Sequence, residues 1–154
     1  MKKMDDFFYA GLISGAIGGI CILLFNVVLR LLGVPHGTYW EAMGGLFYNP
    51  QLLKTWYAQI HGAIDAIGVS AANGVLTCFI LKYTGRDHLY TKCVALSAFS
   101  AYFLFLAVYP QTGLGKDSPI TPWVALFVHT SFLGLLVGYI LKRIYTFAER
   151  PEIK

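Results

Sequence analysis

The sequence predicts an all-α membrane protein: a four-transmembrane-helix bundle with a short interfacial helix between spans 1 and 2. Three observations lead there. Of 154 residues, 56% are hydrophobic and only 13% charged, too little charge to cover a water-facing surface. Four apolar segments, at about 7–32, 58–81, 93–109 and 123–141, approach the ~20 residues that cross a hydrocarbon layer. Within them small residues recur at every fourth position, a spacing that lets helices meet closely in lipid. Backbone polar groups must pair internally in that medium, so the segments are expected to be helices. No ten-residue alternation of apolar and polar residues points to a barrel. One integral membrane domain, 1–154, is the natural division.

The first span follows Lys2 and Lys3, an arrangement that imitates a secretory signal. Its apolar run is long enough to cross, and no small-x-small cleavage site follows, so an uncleaved span is expected. Gly11, Gly15 and Gly19, with Gly18 beside them, form a glycine zipper. Each glycine would cost about 1 kcal/mol relative to alanine in a water-exposed helix. Close helix packing in a bilayer explains them better.

Gly33-Val34-Pro35-His36-Gly37 then breaks the helix, and Thr38-x-x-Glu41 has the form of a capping box opening a short one. Gly44-Gly45 ends it. Tyr39, Trp40, Phe47, Tyr48, Trp56 and Tyr57 crowd this stretch, which predicts a segment lying on the membrane surface. Asn49-Pro50 reads as an N-cap followed by a first-turn proline, starting a long second helix that continues to Tyr83. Ala58, Gly62, Ala66, Ser70 and Gly74 stripe one face of it.

A polar turn over residues 83–90 leads to the third and shortest span, with Ser97 and Ala101 as its small residues. Pro110 opens the next connection. Thr121-Pro122 repeats the cap-plus-proline start, and Thr130, Gly134 and Gly138 repeat the small-residue stripe in the fourth span. Residues 74–82 and 134–142 agree at five of nine positions, which raises a two-helix duplication.

Charge sets the expected orientation. Lys2, Lys3, Lys82, Arg86, Lys92, Lys142, Arg143, Arg150 and Lys154 fall on one side, against Arg30, Lys54 and Lys116 on the other. The positive-inside rule then places a multi-pass protein in the cell (cytoplasmic) membrane with both termini cytoplasmic. The net charge of +4 comes from residues flanking apolar runs, so nucleic acid is not an expected partner. Cys21, Cys78 and Cys93 show no CxxC spacing and are expected as buried, inert thiols.

Polar residues inside the spans carry the functional question. Asp65, His61, His129, Asn26, Arg30 and Asn73 form the candidate polar pocket. Counted from Lys82 and Lys142 at 1.5 Å per residue, His61 lies about 31 Å up, Asp65 about 25 Å, His129 about 20 Å and Asn73 about 13 Å. Asn26, counted from Phe7, comes at about 28 Å, with Arg30 about 6 Å higher. One reading is an anchoring cluster in which Arg30 meets Asp65 and His61 or Asn26 completes the hydrogen bonds. The other is an outward-facing pocket where Asp65 and the histidines carry protons or hold a cation. Asn73 fits a helix–helix hydrogen bond.

Haem between His61 and His129 is disfavoured by a level difference of about 11 Å. Zinc lacks a His/Cys cluster or HExxH. No cofactor, metal or catalytic residue is expected, and Walker A, GxSxG and GxGxxG patterns are absent. Gly11-x3-Gly15-x2-Gly18 leading to Asn26, His61 near the outer end of the second span, and Phe127-x4-Phe132-x-Gly134 resemble small four-helix membrane proteins of spore-forming Firmicutes. That resemblance implies four spans and no established activity, and it gives Asp65 no role. The expected function is a non-enzymatic membrane component working through helix packing or association. Its partners would be the lipid bilayer and a second copy or another membrane protein. A small proton- or cation-linked permease is the alternative.

Overall fold

Asp6 stands just before the first apolar run, and its carboxylate accepts from the amides of Phe8 (2.8 Å) and Tyr9 (3.2 Å). That cap opens α1 (Phe7–Leu31). The computed structural model describes residues 5–34, 38–112 and 131–145. Among these the fold is all-helical, with α1 followed by α2 (Tyr39–Gly44), α3 (Trp56–Thr84), α4 (Leu89–Thr112) and α5 (Leu133–Ile144). Two of these helices, α1 with 25 residues and α3 with 29, are long and apolar enough to cross a membrane. The start of the expected fourth span, with Trp123 and His129, lies outside the described residues.

The four longer helices close a ring. α1 packs on α3 and α5, and α4 packs on the same two. Glycines let the backbones touch. A Cβ at Gly11 would come within 2.6 Å of Val75 Cα, one at Gly15 would strike the Ser70 carbonyl, and one at Gly74 the Gly11 carbonyl. Gly19 faces the Ser70 side chain in the same seam, and Gly62 meets the Trp40 carbonyl of α2. On the far side, a Cβ at Gly134 would lie 2.5 Å from Val94 Cα, and Gly138 faces Tyr90 and Cys93. A Cβ at each of these seven glycines would meet a neighbouring segment of the same chain. Phe25 stacks on Phe132 at 5.1 Å to join α1 to the start of α5.

The two similar segments play matching parts. Gly74 and Gly134 each abut a neighbouring backbone. Lys82 lies over the Phe7 ring at 4.6 Å and Lys142 over the Tyr90 ring at 5.8 Å.

Several boundaries differ from the sequence reading. α3 begins at Trp56 with Thr55 as N-cap, not at Asn49-Pro50. Residues 49–55 instead form turns, with the Leu52 amide donating to the Asn49 carbonyl (2.8 Å) and the Thr55 amide to the Leu52 carbonyl (2.9 Å). The turns bury Leu53 near Gly44, an apolar gain that outweighs extending the helix. α4 runs past Pro110 to Thr112, so that proline does not start the connection. At the other end of α4 the chain turns tightly: Gly85 takes the left-handed φ of 74° that ends α3. Lys92 Nζ donates to the Thr84 and Gly85 carbonyls at 2.9 and 3.0 Å, satisfying the helix terminus.

The expected capping box is present. The Thr38 amide donates to Glu41 Oε2 at 3.0 Å, and the Glu41 amide to Thr38 Oγ1 at 3.3 Å. α2 does more than lie at a boundary, however. It touches α1, α3 and α4, and buries Tyr39 and Met43, so it plugs one end of the ring.

On α1 and α3 the residues turned inward are mainly small or polar, and large aliphatic side chains face outward. The buried face of α1 is Ala10, Gly11, Ser14, Gly15, Gly18, Gly19, Ile22 and Asn26. Its exposed face carries Leu12, Ile17, Ile20, Leu24 and Val28. α3 repeats the pattern, with Ser70, Asn73 and Thr77 buried while Ile64 is 62% exposed.

Candidate functional site

Helical spacing puts His61 and Asp65 on one face of α3, and the chain entering that helix supplies a third group. His61 Nδ1 lies 3.1 Å from the Tyr48 hydroxyl. Its Nε2 lies 3.4 Å from Asp65 Oδ2, an ion pair when the ring is protonated. Which of Tyr48 and His61 donates depends on the ring nitrogen that carries the proton. The imidazole is 41% exposed and the Asp65 side chain 28%, so the group sits at a boundary. Asp65 Oδ2 is nonetheless shielded from solvent and accepts no hydrogen bond among the described residues. Among the described residues, the His61 imidazole is the group within ion-pair reach of it when that ring carries a second proton.

Aromatic rings wall this chain of groups. Phe47 lies 5.0 Å from the His61 ring, Tyr48 5.6 Å from it in an edge-on arrangement, and Tyr57 5.7 Å from Tyr48. Chemically, a hydroxyl, an imidazole and a carboxylate in series can hold and relay a proton. Tyr48 was the residue missed by sequence reasoning. It precedes α3 and reaches back across thirteen positions, a contact with no periodic signal.

The remaining candidates separate into other roles. Arg30, expected to meet Asp65, pairs with Glu41 at 3.7 Å instead. The capping box already holds that carboxylate in place beside the end of α1, so it is the nearer anion. Asn26 is buried and donates to the carbonyl of Ile22 within its own helix at 2.8 Å. Asn73 joins α3 to α4: its Nδ2 donates to Ser97 Oγ at 3.2 Å, and Ser100 Oγ donates to its Oδ1 at 2.9 Å. His129 lies outside the described residues, and so does any test of it as a partner for His61.

Tyr39 projects from α2 toward Ser70. Burial pushes its hydroxyl up from 10.0 to about 12, an effect that the nearby Ser70 side chain partly offsets. The three thiols are free, with Cys78 and Cys93 buried and Cys21 partly so. Among the described residues no three His, Cys, Asp or Glu side chains gather as a metal-binding group. No protein-family model, curated protein or solved structure matches the chain.

Proposed function

We propose that this is a multi-pass integral membrane protein of the cytoplasmic membrane, with four spans and both termini inside, acting as a non-enzymatic, helix-packed membrane component. One observation carries the membrane reading. Apart from Ile22 and Leu81, α1 and α3 bury small or polar residues, and they expose leucine, isoleucine and phenylalanine, an arrangement favoured where the surroundings are as apolar as the side chains. Only 33% of the most apolar stretch of α1 and 44% of that of α3 is buried. A core helix of a water-soluble protein would be enclosed on most sides.

The glycines sharpen the packing role. Since they are engaged within the chain, association with a second copy or another membrane protein uses the exposed aliphatic faces, not the glycine stripes. Resistance to carbonate extraction, with terminal tags protected from protease in intact cells, is the expected result. Release by carbonate, or a tag cleaved from outside, would overturn the assignment.

A second reading, a small proton- or cation-linked permease, is favoured by Tyr48–His61–Asp65. In it Asp65→Asn abolishes a pH-dependent flux in liposomes while leaving folding and abundance unchanged. Identical flux in the variant and the parent would end that reading.

A further inference from the structure

The fold gathers cations at the end of the ring opposite Tyr48–His61–Asp65, and on α5 they complete a stripe. Leu135, Tyr139, Lys142 and Arg143 are spaced at four, seven and eight residues along one exposed face, while Leu133, Gly134, Val137, Gly138 and Leu141 are buried on the other. The exposed face thus passes from aliphatic to aromatic to doubly cationic over its last three turns. Neither cation is paired with a carboxylate among the described residues. Each is held by a ring: Lys142 Nζ lies 5.8 Å from the Tyr90 ring centre across the α4–α5 seam, and Arg143 5.4 Å from that of Tyr139. A cation–π contact positions a charge without neutralising it, so among the described residues both cations keep their charge available to an anion.

We propose that Tyr90, Tyr139, Lys142 and Arg143 bind the headgroup phosphate of an anionic phospholipid. Arg143 offers a planar donor fork to phosphate oxygens, Lys142 a point charge beside it, and the tyrosine hydroxyls further donors. Leu135 and the Tyr139 ring lie where the acyl chains of such a lipid would run. Charge complementarity selects lipid as the source: a headgroup layer presents phosphate where these side chains end, with apolar surface directly beneath. The cytoplasmic leaflet is also the anionic one. The proposal rests on the membrane reading and adds to it a preferred lipid class and a location.

The test uses the full chain in a neutral detergent, mixed with phosphatidylglycerol or phosphatidylcholine, with retained lipid counted by native mass spectrometry. The unaltered protein is expected to retain phosphatidylglycerol preferentially. Lys142→Gln with Arg143→Gln is expected to reduce that preference about tenfold, with each exposed cation contributing a share. Lys142→Arg keeps it, and Arg143→Gln alone gives an intermediate loss. Helix content by circular dichroism stays unchanged throughout, since both side chains are exposed. Equal retention of the two lipids, or an equal loss on Lys54→Gln at the opposite end, would show no site or a mere effect of net charge, and either overturns the proposal. Failure of the membrane reading looks different: the chain would leave membranes in carbonate and stay dispersed without detergent.

Discussion

The two halves of α3 face different problems. From Ser70 to Leu81 its buried residues are Ser70, Ala71, Asn73, Gly74, Thr77, Cys78 and Leu81, and the helix is in backbone contact with α1. From Trp56 to Asp65 it carries His61 and Asp65 at partial exposure, facing a loop rather than a helix. Close packing in the first half leaves no room for a change of protonation or geometry. In the second half Gly62 still meets the Trp40 carbonyl of α2, but His61 and Asp65 are held by a few long contacts and can change partners without unpacking the bundle. One helix therefore combines a rigid seam with a titratable end, and the substitutions below should separate them.

The largest effect is expected at the seam. Gly15→Val places a side chain into the Ser70 carbonyl, and because backbone must move on both sides the loss should reach about 3 kcal/mol. Unfolding by sodium dodecyl sulfate in mixed micelles would measure it. A variant as stable as the parent means that α1 and α3 do not meet there.

Tyr39→Phe probes how tightly α2 plugs the ring. Burial favours the neutral phenol, so the folded state holds its proton until about pH 12, whereas the unfolded chain releases it from about 10. The Tyr39 contribution to stability is then constant below pH 10 and falls by about 1.4 kcal/mol per pH unit from there to pH 12. Tyr39→Phe should remove this component of the alkaline decline. An unchanged decline in the variant would locate its cause elsewhere.

Asn73→Leu comes next. It removes two hydrogen bonds to Ser97 and Ser100, and about 1–2 kcal/mol is expected from groups of this kind in a helix bundle. A smaller loss than that seen at Gly15 would rank backbone contact above polar contact in joining the helices. Equal losses would erase the ranking.

Gly68→Ala is the contrast within the same helix. Among the described residues a Cβ there meets nothing within 4 Å, so alanine should gain up to about 1 kcal/mol in helix propensity. Destabilisation would reveal a neighbour that covers this position. Smallest of all is Asp65→Asn, where a partly exposed pair is worth under about 1 kcal/mol. A loss as large as that of Asn73→Leu would make the Tyr48–His61–Asp65 group a structural anchor.

Much of the helical plan was legible because it depends on local rules. Gly11, Gly15 and Gly74 could be recognised as packing residues from their spacing, and Thr38-x-x-Glu41 as a cap from its residue types, since both depend on positions within one helical turn. The start of α3 was not legible. Asn49-Pro50 is a sound local signal, but burying Leu53 against α2 is a tertiary gain that no window of sequence contains. The candidate site divided along the same line: His61 and Asp65 were paired by helical periodicity, whereas Tyr48 required knowing how the loop folds back.

Residue spacing and composition alone determined that the chain is helical, that its helices carry glycine faces, and that its cations collect at one end, because each follows from periodicity or from counting. Only the tertiary structure decided which glycine meets which backbone, that Arg30 takes Glu41 and leaves Asp65 to His61, and that α2 plugs the ring. Those outcomes are set by competition among distant partners for the same few ångströms of space, and such competition is settled when the helices come together.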